Sequence, residues 1–100
     1  RYHPLKDDTY NSLIEVYYNI ATTCLENRQE EEAKEYFRKV VNINKVAEEI
    51  NQTMRERRDK LLKGITDAPK SYVNDRFSVN IEENILELVN LAERALASDE

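Results

Sequence analysis

Apolar residues recur at three- and four-residue steps along most of this chain. With each residue turned by about 100°, Tyr10, Leu13, Ile14, Tyr17, Ile20, Ala21, Cys24 and Leu25 share one face about 140° wide. That is the period of a helix with one side turned to a core. Asp7, Asp8 and Thr9 follow Pro4 and supply N-cap candidates and first-turn acids. A helix is therefore expected over about residues 8–26, with Glu26-Asn27-Arg28-Gln29 as its turn.

A second pattern starts at Glu30, Glu31 and Glu32, acids suited to the positive end of a helix dipole. Tyr36, Val40, Ile43, Ala47, Ile50, Met54, Leu61 and Ile65 then stay within a band about 80° wide. No Gly or Pro lies between Gln29 and Lys63. The unbroken phase favours one helix over about 30–63, stopped at Gly64. The alternative is a break near residues 43–45. Such a rod is about 50 Å long at about 1.5 Å per residue, and the first helix covers only half of it. Residues 64–79 read as a connector, in which Asp67-Ala68-Pro69 could open a short helix.

A last helix is expected over about 80–97. Asn80 with Glu83 resembles a capping box, and Ser78 is the rival cap. Ile81, Ile85, Leu88, Val89, Ala92, Ala95 and Leu96 form its apolar face. Laid antiparallel on the second half of the rod, this face would bury Ile50, Met54 and Leu61. Leu91 lies just off it and Leu86 farther off.

Composition narrows the class. One Gly and two Pro are too few for a turn-rich β fold, and 40% apolar with 35% charged residues suits a small folded domain. We read residues 1–100 as one all-α domain. The net charge of −5 is uneven. The last third is strongly acidic, which argues against a chain built to coat DNA. Cys24 and His3 are single, so neither an intrachain disulfide nor a Cys/His metal cluster can form, and no cofactor is expected. A lone cysteine fits a reducing, cytoplasmic setting, and no apolar run is long enough to span a bilayer. His3 is the only candidate for imidazole acid–base work, and Cys24 sits on a core stripe without one. No catalysis is expected. Arg55, Arg57, Arg58, Lys60 and Lys63 form a basic run, but Glu56 and Asp59 interrupt it and the five spread round the helix. Solvated charge is the simpler reading. Asn51-Gln52-Thr53 matches a glycosylation sequon by chance.

One segment carries a sharper signature. Tyr17-Tyr18-Asn19-Ile20-Ala21 and Cys24, then Ala33, Tyr36-Phe37 and Val40-Val41, place small residues where two helices would approach closely. They place large residues where the gap must be filled. Over residues 14–47 this resembles one tetratricopeptide repeat, a helix–turn–helix unit of about 34 residues. The resemblance implies an antiparallel hairpin whose first helix faces a ligand groove. It implies a peptide-contacting role for Asn19, with Glu15, Tyr18, Thr22 and Glu26 on the same flank. Family members that grip a terminal carboxylate carry Lys and Arg there, and this flank does not. Arg28 replaces the usual turn glycine, Glu30 replaces an aromatic, and no second copy follows at 48–81.

The function expected is a protein–protein interaction module: an adaptor, an assembly factor, or a fragment of a larger helical-repeat protein. Its partner would be another protein or a peptide, contacted through Glu15, Tyr18, Asn19, Thr22 and, on the last helix, Leu86. One alternative is a self-associating coiled-coil or bundle protein, a homo-oligomer built on the stripe from Val40 to Leu61. The other is a nucleic-acid binder using Arg55–Lys63.

Overall fold

A computed structural model describes residues 7–64 and 78–98. They form three helices: α1 (Asp7–Glu26), α2 (Glu30–Gly64) and α3 (Glu83–Ala97). The described residues contain no strand, so the fold is all-α. The connector residues 65–77, with Asp67-Ala68-Pro69 and Tyr72, lie outside the described residues. So do His3 and the side chain of Leu61.

α1 and α2 form the antiparallel hairpin. Ala21 and Ala33 are both fully buried, as are Ile14 and Val40, and all four belong to one core cluster with Cys24 and Phe37. The turn between the helices is built from backbone bonds. The Gln29 N–H donates to the Cys24 carbonyl at 2.8 Å and the Arg28 N–H to the Leu25 carbonyl at 3.0 Å. This paired closure, a Schellman motif, needs a left-handed residue, and Arg28 adopts φ 62°. Arg28 thus holds the conformation that glycine takes without a Cβ penalty. Arg28→Gly is expected to raise the unfolding free energy by about 1 kcal/mol, read from urea denaturation; a loss of stability would mean that the Arg28 side chain outweighs the strain.

α2 runs through Asn42–Lys45 without interruption, 35 residues in all. At about 1.5 Å per residue it is ~52 Å long. It accounts for most of the 59 Å long axis of the molecule.

α3 lies elsewhere than its apolar pattern suggested. It does not cover the second half of α2. Ile85, Val89 and Ala92 join the cluster of Ile14, Ala21, Ala33, Phe37 and Val40, so α3 packs on the first half of α2 and on α1 together. Ala95 and Ser98 come beside Leu25, Glu30 and Ala33, while Val79, just before α3, meets Tyr10 and Ala47. α3 is therefore antiparallel to α2 and parallel to α1. The physical reason is the number of walls. The hairpin offers a valley between two helices, whereas the far half of α2 offers one helix, and burial of apolar area favours the valley. Ile50 packs at the edge of the Tyr10–Ala47–Val79 cluster. Met54 is half-buried.

The start of α3 also differs. Asn80 does not cap it: the helix begins at Glu83, and the preceding Glu82 is extended, with φ −65° and ψ 151°, and makes no side-chain cap bond. Two asparagines on the other helices hold this segment instead. Asn51 of α2 accepts from the Val79 N–H at 2.7 Å and donates to the Val79 carbonyl at 2.8 Å. Asn11 of α1 donates to the Asn80 carbonyl at 3.0 Å and accepts from the Glu82 N–H at 2.9 Å. With those backbone groups taken, residues 79–82 stay outside the helix, which starts after them.

Candidate protein-interaction surface

The residues expected to meet a partner sit on α1 in an order set by helical spacing. Asn11, Tyr18 and Leu25 are seven apart and so share one edge. Asn11 bonds to residues 80 and 82, and Leu25 lines a cleft with Ala95. That edge therefore borders α3. Tyr18 lies between them, half-buried, its ring edge-on to Phe37 at 5.8 Å. It is an anchored side chain, not a free one. Thr22 and Glu15 stand one helical step outward, half-buried and exposed respectively. Asn19 is exposed, and its carbonyl accepts from both the Thr22 and Thr23 hydroxyls at 2.9 Å. These two hydroxyls are satisfied locally, which lowers the cost of covering them with a partner.

The structure brings Glu15, Tyr18, Asn19 and Thr22 together and leaves Leu86 apart. Leu86 and Leu91 are both partly exposed, at 39% and 43%, but lie about 140° apart on α3, on opposite sides of its buried stripe. Leu91 shares its edge with Leu88 and Ala95, and Ala95 opens onto the cleft of about 230 Å³ that Leu25, Ala33, Lys34 and Phe37 also line. The edge facing α1 is thus that of Leu91.

A second aromatic pair closes the opposite side of the hairpin. Tyr17 and Tyr36 pack with ring centroids 5.9 Å apart, and the Lys39 ammonium lies 5.8 Å from the Tyr17 centroid. The stripe proposed for coiled-coil association is consumed in its first half: Val40 and Ala47 are buried within the chain by α1 and its neighbours. In the basic run, Arg55 donates to Gln52, which in turn donates to Glu56. Among the described residues no group of three or more His, Cys, Asp and Glu could hold a metal ion, and no helix is long and apolar enough to cross a membrane. Cys24 is buried.

Asn11 and Asn51 escaped the sequence reading. Each lies at the border of an apolar stripe, where a polar residue inside the helix signals a buried hydrogen-bond demand. Nothing in the sequence named the backbone groups that would answer it.

The fold and this surface define a class: a small helical hairpin with a third helix in its valley, presenting a polar flank with an anchored aromatic. Within it, residues 14–46 match the family model described as tetratricopeptide repeat, so the hairpin is similar to one such repeat. Repeats of this kind mediate protein–protein interactions. No curated protein and no solved structure matches the chain significantly.

Proposed function

We propose that this protein is a non-catalytic adaptor or assembly module. It docks a peptide or helix of another protein along the α1 edge beside α3. The observation that carries this reading is the match of residues 14–46 to a repeat family of protein-binding modules. Tyr18, fixed against Phe37, supplies a rigid aromatic anchor with little entropy left to lose. Asn19 offers an exposed amide to a ligand backbone, Glu15 and Thr22 form the rim, and Leu91 forms the far wall. Leu86 is left out of this surface. α3 lies parallel to α1, as the first helix of a following hairpin would in a stack, so this chain supplies a valley from a single repeat. A cytoplasmic setting suits the one buried cysteine.

The test is selection of peptide ligands from a displayed library on the intact chain. The selected ligands are then remeasured on Glu15→Lys and Asn19→Ala, both at exposed positions. At least tenfold weaker binding, about 1.4 kcal/mol, is expected. Ligands that bind both variants as tightly as the parent would overturn the assignment of this edge.

A further inference from the structure

α1 carries charge of one sign only. Its carboxylates are Asp7, Asp8, Glu15 and Glu26, and its 20 residues include no Lys or Arg. Asp7 and Asp8 occupy the first turn, where the positive end of the helix dipole accounts for them. Glu15 and Glu26 have no such local reason. No Lys or Arg stands three or four residues from either, and neither makes an ion pair among the described residues. Glu26 ends α1 at the negative end of the dipole, with no basic residue in that last turn, and Arg28 beyond it forms no ion pair with it. Both glutamates are exposed on the flank beside α3, about 20° apart round the helix and ~16 Å apart along it. Across the valley, Glu87 and Arg94 lie one turn to either side of Leu91 and offset each other. The excess charge along this edge is therefore negative and belongs to α1. Next to Glu26 the valley deepens into the apolar cleft, where Leu25, 46% exposed, and Ala95 stand over buried Ala33 and Phe37. Glu30 and Lys34 also line it, and Lys34 is held by Glu31 at 3.4 Å.

We propose that the segment docked along the α1–α3 edge is a basic, extended peptide with an apolar residue beside one of its cations. This names the partner of the edge described above and rests on that reading. The apolar side chain fills the cleft at Leu25, the Lys or Arg next to it meets Glu26, and a second cation meets Glu15. The spacing follows from the geometry: ~16 Å is about five residues of extended chain, so the two cations stand about five positions apart. Charge selects this occupant. A second copy of this chain, with its net charge of −5, or an acidic peptide would set carboxylates against Glu15 and Glu26. Burial in the cleft supplies affinity, and the two carboxylates choose sign and register.

Selection of random displayed peptides on the intact chain at physiological salt tests the partner's chemistry. The ligands should be enriched in Lys and Arg about five positions apart, with an aliphatic or aromatic residue next to one of them. They should bind at least tenfold more weakly to the double variant Glu15→Lys, Glu26→Lys, and added salt should weaken the parent complex. The same ligands resynthesised with Glu in place of Lys and Arg should bind that variant better than the parent. Circular dichroism checks that the variant keeps its helicity; if it does not, Glu15→Gln with Glu26→Gln replaces it, with both expectations unchanged in direction. Neutral or acidic ligands that nevertheless weaken on Asn19→Ala overturn this inference and leave the edge standing. So do basic ligands whose reversed versions gain nothing on the variant. Ligands indifferent to Asn19→Ala and Glu15→Lys overturn the edge and this inference with it, as does a library that yields no ligand.

Discussion

Phe37→Ala is expected to lower the unfolding free energy by about 3–5 kcal/mol, the usual cost of emptying a buried aromatic site. Phe37 is 4% exposed and sits where all three helices converge. Its ring meets Tyr18 of α1, and it lines the cleft closed by Ala95 of α3. Truncation therefore removes contacts to two helices at once and leaves a void that neither can collapse into alone. A domain of this size has roughly 5–15 kcal/mol in total, so the loss consumes about a fifth of it or more. The melting temperature should fall by about 12–40 °C. Urea denaturation followed by far-UV circular dichroism measures it, with Val46→Ala as the comparison. Val46 is 45% exposed, and its truncation should cost no more than about 0.5 kcal/mol. Equal costs at the two positions would contradict the three-helix junction.

The second large effect concerns the asparagine pair. Asn11→Ala removes both bonds that reach residues 80 and 82 and leaves the Glu82 N–H and the Asn80 carbonyl without their partner. Asn51→Ala does the same to both backbone groups of Val79. Each substitution should cost about 1–3 kcal/mol, because a stranded backbone group pays its desolvation in full. The double variant should approach the sum or exceed it, since the two side chains hold one segment. Hydrogen exchange separates local from global loss. The Val79 and Glu82 amides should lose protection first, while amides around Val40 keep theirs until the whole domain opens. Asn11→Asp should fall between parent and Asn11→Ala: it still accepts from the Glu82 N–H but cannot donate to the Asn80 carbonyl. Unchanged protection at Val79 in Asn51→Ala would show that apolar packing alone seats α3.

Much of the hairpin was legible in the residues. Ala21, Ala33, Phe37 and Val40 sit at spacings that only a close helical crossing uses, and all four are buried together. Their signal is local: every residue that decides it lies within one helix–turn–helix hairpin. Arg28 was legible in a different way. It occupies a position where the repeat that this segment resembles usually has glycine, and the turn forces it into the left-handed region all the same. The candidate surface was legible in part. Glu15, Tyr18, Asn19 and Thr22 are neighbours by helix geometry, so their grouping needed no tertiary information. Leu86 and Leu91 look alike in sequence, both just beside a buried stripe. Choosing between them requires knowing which edge of α3 meets α1.

The spacing of apolar residues, the scarcity of Gly and Pro, and the small-and-large alternation around Ala21 determined that this chain is helical and that α1 and α2 cross closely. Local periodicity carries that information, because each helix satisfies its own backbone. Three matters were left to the tertiary structure: where α3 lies, where it begins, and which face of α1 stays open. An apolar stripe states how much surface must be covered but not by what. The valley between two helices outbid the bare half of α2, and Asn11 and Asn51 then took the backbone groups that would otherwise have lengthened α3.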